Sequence, residues 1–172
     1  MAEIKSAIEL AMERTRNMSL SEEEKVRLHK DEFEKLLQGA LQRYSDEVIS
    51  IDDFRERISQ LQSDEHINDN QLVIKSVLKR IDPDEENERW LSLLSVLAPV
   101  LSDSLQEMLS DYSEQHSKLL QAARKEMLEQ LAQRHGITGS AIVPNPDKST
   151  SYQHGISVLR RETRSRIDAI AH

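Results

Sequence analysis

Leu91-Ser-Leu-Leu-Ser-Val-Leu-Ala-Pro-Val100 followed by Leu101-Ser-Asp-Ser-Leu-Gln-Glu-Met-Leu-Ser-Asp-Tyr112 is the stretch on which the reading of this chain turns. Within it Leu91, Leu94, Ala98, Leu101, Leu105, Met108 and Tyr112 alternate three- and four-residue steps, the spacing that puts side chains on one face of an α-helix. The stripe stays in phase across Pro99. Proline removes a backbone donor and crowds the preceding turn, so it bends or breaks a helix. A stripe that keeps its phase through it predicts one bent helix. Leu119, Ala123, Met127 and Leu131 extend the apolar side, which makes residues 84–134 an expected Pro-kinked rod. At a rise of 1.5 Å per residue the part beyond Pro99 is about 50 Å long. A compact globule of this length is only about 40 Å across, so part of the rod is expected to protrude.

Outward from the rod, the same periodicity recurs in shorter pieces. Ile4, Ile8, Ala11, Met12 and Thr15 mark a first helix over about residues 3–17. Ser21 with Glu24 forms the pattern of a capping box, in which a hydroxyl and a carboxylate satisfy backbone donors at a helix start. Behind it Val26, Phe33, Leu36, Leu37, Ala40, Leu41 and Tyr44 make a second stripe, with Gly39 inside it. A glycine there costs about 1 kcal/mol against alanine, which points to close packing or a break. Ser50 with Asp53 signals a third start, and Ile51, Phe54, Ile58 and Leu61 follow on one face. After a polar loop over residues 63–70, Leu72, Val73, Val77, Leu78 and Ile81 form a fourth helix that Asp82-Pro83-Asp84 ends. Downstream of the rod, Gly136 is placed to take a left-handed C-terminal cap. Residues 136–151 are rich in Gly, Pro and Ser and read as an extended linker, and residues 152–172 read as an amphipathic helix striped by Ile156, Leu159, Thr163, Ile167 and Ile170.

Composition supports this reading. Six aromatics, four Gly and four Pro among 172 residues are too few for an all-β fold with its frequent turns. The absence of Cys excludes disulfides, thiolate metal sites and thiol catalysis. No apolar run approaches the roughly 18 residues of a membrane span, and the opening residues carry no signal-peptide core, which predicts a cytoplasmic location. The net charge of −8 is uneven: residues 1–135 hold 18 Lys/Arg against 28 Asp/Glu, and residues 136–172 hold 5 against 3. The acidic body disfavours a nucleic acid partner. Its charges alternate in sign, as in Arg27-Leu-His-Lys-Asp-Glu32, which reads as a solvated helix face.

Chemical motifs are sparse. No Glu stands three positions before a His and no His-Glu-x-x-His occurs, so neither a di-iron bundle nor a zinc hydrolase pattern is present. His29 and Glu32 share a helical face, but two ligands do not make a metal site. There is no Gly-x-Ser-x-Gly elbow and no Gly-rich phosphate cradle. Gly136-Ile-Thr-Gly139 matches the bare Gly-x-x-Gly of a KH clamp, yet an extended Pro-containing stretch follows, so a helix cap and a turn is the simpler reading. The expectation is therefore of no catalytic residue, no metal site and no cofactor. Trp90 reads as core, with an interface anchor as the alternative.

The string Glu3-Ile-Lys-Ser-Ala-Ile-Glu-Leu-Ala-Met-Glu-Arg-Thr15 resembles the opening of a family of small, uncharacterised bacterial helical proteins that begin Lys-Ser-x-x-Glu-x-Ala-x-Glu-Arg-Thr. The resemblance implies a bacterial cytoplasmic protein and no particular activity. The expected fold is all-α: short helices pack around a long Pro-kinked helix in a body over residues 1–135, followed by the linker and the C-terminal helix. The expected function is that of a non-enzymatic interaction or scaffold protein, self-associating as a coiled-coil-like homo-oligomer or binding another protein. Leu119, Met127, Leu131, Ile156, Leu159, Arg160, Arg164 and Ile167 are the expected partner-binding residues, because thin helices with long stripes leave apolar surface to cover. The alternative is a nucleic-acid or ribosome-associated factor using Arg160, Arg161, Arg164 and Arg166.

Overall fold

The computed structural model describes residues 21–67 and 69–170; the helix expected near residues 3–17 lies outside them. The described residues are all-α. They form α1 (Glu22–Ser45), α2 (Ile51–Asp64), α3 (Asn70–Leu78), α4 (Glu88–Leu97), α5 (Pro99–His135), a 3-10 turn (Pro146–Lys148) and α6 (Thr150–Ile170), with no strand among them. Contacts divide the chain between Asp69 and Asn70 into two compact units. The long helix and the C-terminal helix therefore share a unit.

In the first unit both expected capping boxes form. The Ser21 hydroxyl accepts from the Glu24 amide at 3.2 Å while the Glu24 carboxylate accepts from the Ser21 amide at 2.8 Å. Ser50 and Asp53 repeat the exchange, and the hydrogen bonds from the Ser50 side chain and backbone hold the Asp53 carboxyl below its ordinary pKa. The two helices run antiparallel: the rings of Tyr44 and Phe54 lie 5.7 Å apart near the turn, and His29 Nδ1 meets Glu65 Oε2 at 2.7 Å near the other end. Phe33, Leu37, Leu41, Phe54 and Ile58 are buried, while Val26, the expected first member of the α1 stripe, is exposed. The helix runs through Gly39 without a break, and a Cβ there would meet nothing within 4 Å among the described residues.

In the second unit the expected bend at Pro99 is a full break. Ala98 leaves helical geometry at φ −152° and ψ 77°, and Pro99 becomes the first residue of α5, where a missing amide hydrogen costs nothing. The Ser102 hydroxyl donates to the Leu91 carbonyl at 3.2 Å across eleven positions of sequence. In one continuous helix those residues would be about 16 Å apart along the axis. The chain thus turns back on itself, and the rod expected over residues 84–134 resolves into α4 packed on α5. Trp90, Leu93, Leu94 and Leu105 are buried. The phase that carries across Pro99 serves two facing helices as well as one.

On α5, α6 packs antiparallel: Tyr152 Oη lies 2.8 Å from His116 Nε2, and Arg166 reaches Asp111 at 3.7 Å. Tyr112, Ala123, Tyr152, Ile156 and Leu159 form one buried cluster, joined by half-buried Leu119 and Leu120. Gly155 is the close approach, since a Cβ there would lie 3.2 Å from Leu119 Cδ2. The expected linker is in part structured. Gly136 caps α5 at φ 65°, its amide donating to Ala132 O at 3.1 Å. Pro146 is buried, the 3-10 turn packs on α5, and Gln153 Nε2 donates to Asp147 O at 2.7 Å.

The two helical glycines should respond oppositely to substitution. Gly155→Leu should lower stability by about 1–3 kcal/mol by wedging α6 away from Leu119. Gly39→Ala should raise it by about 0.5–1 kcal/mol. Urea unfolding with unchanged slope measures both; equal effects of one sign would contradict the packing described.

Candidate functional site

The basic C-terminal helix, expected to face a partner, is engaged within its own unit. The loop between α3 and α4 is knit by Asn87, whose side-chain amide donates to the carbonyls of Asp82 at 2.6 Å and Glu85 at 2.8 Å and accepts from the Asp82 amide at 3.1 Å. The Asp82 carboxylate accepts from the Asp84 amide at 3.0 Å, which fixes the turn and presents Asp84. One Asp84 oxygen accepts a short hydrogen bond from the Tyr112 hydroxyl on α5, and the other meets Arg160 Nε on α6 at 2.5 Å. One carboxylate thereby ties three elements together. Arg164 adds a second tie, donating to Ile81 O at 2.8 Å and pairing with Asp168 at 3.2 Å.

Burial and the hydrogen bond to Asp84 push the Tyr112 phenol up to about 12. Hydrogen bonding with Tyr112 and Asp84 raises Arg160 above its already high ordinary value. Both shifts favour a neutral donor phenol and a guanidinium against a carboxylate. An open cavity of about 460 Å³ borders this lock, where Lys79, Arg80, Arg160 and Arg164 stand among Asp82, Asp84 and Glu85. Its charges are largely matched internally; Arg80 also lies 6.0 Å from the centre of the Trp90 ring. The arrangement orients and fastens helices.

The eight expected partner-binding residues separate into three groups. Ile156, Leu159 and Ile167 are buried in α6, and Leu119 is half-buried against Gly155. Arg160 and Arg164 hold the α3–α4 loop. Met127 and Leu131 alone stand apart from these contacts, half-buried near the end of α5 beside Leu128, which is 38 % exposed, and Ile137, which is 47 % exposed. Leu128 and Leu131 are three positions apart on one helix, and Ile137 is held close by its backbone amide, which donates a hydrogen bond to Leu131 O at 3.2 Å.

A second open surface lies in the first unit, where a groove of about 620 Å³ runs between α1 and α2 beside Gly39. Gly39 stands out in the sequence but the groove does not, because only the antiparallel pairing of α1 with α2 creates it. Among the described residues no group of three or more His, Asp or Glu side chains is placed to hold a metal ion. No described helix is long and apolar enough to cross a membrane. No family model matches the chain, and no curated protein or solved structure matches it either.

The lock predicts an alkaline signature. A phenol whose folded pKa lies above the unfolded value of 10.0 stabilises the fold fully below that pH, and the contribution is lost as pH rises toward about 12. Tyr112→Phe should remove that decline and cost about 1.5 kcal/mol at neutral pH. Thermal unfolding of both forms from neutral to strongly alkaline pH tests it; parallel curves would show that Tyr112 is not protonated through this window in the fold.

Proposed function

We propose that this chain is a non-enzymatic interaction or scaffold protein of the cytoplasm that self-associates through the distal end of α5. The observation that carries the reading is the incompletely covered apolar row Met127, Leu128, Leu131 and Ile137. Its position beyond the main α5–α6 cluster leaves it available to a second copy. A row of four side chains covers less than the roughly 800 Å² per partner of a standard interface, so the association is weak and depends on concentration. The nucleic-acid alternative draws less support: Arg160, Arg164 and Arg166 each pair with an aspartate of the same unit, which leaves Arg161 alone among the four without such a tie.

Sedimentation velocity at low and high protein concentration tests this. The wild type should gain apparent mass with concentration, and Met127→Glu with Leu128→Glu should abolish the gain without loss of helicity. A wild type that stays monomeric throughout would end the self-association reading, and retention on a polyanion resin at physiological salt would favour the alternative.

A further inference from the structure

The groove of the first unit has a floor and a rim of different character. Leu36, Gly39 and Ala40 of α1 form its apolar floor, and Lys35, Arg43 and Arg57 supply cations along it. Positions 36, 39, 40 and 43 recur at three- and four-residue spacing, so they share one face of α1. The lining residues of α2 do the same: Asp53, Glu56, Arg57 and Gln60. Two antiparallel helices with facing rows make a seat for a third helix, whose axis would lie about 8–10 Å from theirs. From Lys35 to Arg43 the seat is about 12 Å long, two turns of an α-helix.

Gly39 is the unusual element of this floor. It sits in the middle of α1 at a cost in helix stability, and none of the usual reasons applies among the described residues, since its backbone is helical and a Cβ would touch nothing. The remaining use of a missing side chain is to let another backbone come close.

Charge defines the visitor. Among the described residues neither Arg43 nor Arg57 forms an ion pair, and Lys35 reaches only Glu32, at 4.0 Å. Of the two acids in the lining, Asp53 is occupied in capping α2 through Ser50. Three cations therefore face the groove against one uncommitted carboxylate, in a chain of net charge −8. We propose that this groove docks one face of an amphipathic helix from a partner protein, with a small residue against Gly39 and carboxylates against Arg43, Arg57 and Lys35. The proposal rests on the reading of the chain as an interaction protein and is independent of self-association at α5.

The probes are two fluorescein-labelled alanine-rich helical peptides of about 15 residues. Both carry one Ala/Leu stripe, flanked by Glu in the first and by Lys in the second. Anisotropy titrations use the full chain at low and high salt. The Glu peptide should bind about tenfold or more tightly than the Lys peptide, with the preference shrinking as salt screens the rim. Gly39→Leu puts a side chain on the floor at a position where a Cβ meets nothing within 4 Å among the described residues, and should weaken binding by about tenfold or more, a loss equivalent to a single strong interface contact. Arg43→Glu with Arg57→Glu should reverse the preference between the peptides. Circular dichroism of each variant verifies folding.

Several outcomes overturn the proposal: no binding by either peptide, equal binding of both, or Gly39→Leu binding as the wild type does. It also falls if NMR signals of Leu36 and Ala40 respond to protein concentration in place of peptide, which assigns the groove to a second copy. Cross-linking from a Gly39→Cys variant to residues 1–20 of the same chain would likewise end it. Because Met127→Glu with Leu128→Glu alters the α5 row and leaves the groove lining intact, loss of concentration-dependent mass in that variant reports on the row alone; failure of the peptides therefore leaves the self-association reading standing, and the reverse holds equally.

Discussion

Everything in the second unit depends on the reversal at Ala98–Pro99. Proline has no amide hydrogen, so the helix that carries Leu91 and Leu94 cannot pass its hydrogen-bond ladder through Pro99 at no cost. The chain stops at Ala98, whose carbonyl then serves the amides of Leu101 and Ser102 at 3.1 and 3.0 Å as the first turn of α5. The stripe that would have lined one side of a rod is folded onto itself, and the Ser102 hydroxyl joins the two arms. With α4 laid along α5, the loop before α4 lies near Tyr112, and only then can Asp84 meet both Tyr112 and Arg160.

The lock at Asp84 follows from a need that apolar packing creates. Tyr112 is 2 % exposed, and a phenol buried that deeply must find a hydrogen-bond acceptor or lose stability. Asp84 supplies the acceptor, and Arg160 balances the charge brought with it. The outer ion pairs, such as Arg166 with Asp111 and Lys118 with Glu114, are exposed and contribute little beyond orientation. No buried side-chain nitrogen or oxygen among the described residues is left without a partner.

Features that depend on near neighbours were legible in the sequence. Ser21 with Glu24, Ser50 with Asp53 and the stripe Ile156, Leu159, Thr163 and Ile167 all appear where spacing placed them, because capping and helical periodicity involve residues at most four positions apart. What spacing does not contain is which stripe covers which. The stripe of Ile156 and Leu159 demands burial, on the acidic body or on a second protomer, but it does not say that α5 is the helix that meets the demand. The pairing of Arg160 with Asp84 and the groove beside Gly39 likewise arise from distant segments, which no local pattern reports. At Pro99 the periodicity is the same for a bent helix and for a helical hairpin, so it does not distinguish the two geometries.

The antiparallel seating of α6 on α5 has a consequence for synthesis on the ribosome. The surface around Tyr112, Leu119 and Ala123 is complete long before its cover, which spans Thr150–Ile170 at the far end of the chain. At about 5–20 residues per second that surface stays bare for several seconds in each nascent chain. During that interval Tyr112 lacks Arg160 and the apolar face of α5 is open to other nascent chains and to chaperones. Slower translation through residues 136–149 therefore lengthens the time for which that face waits for its cover.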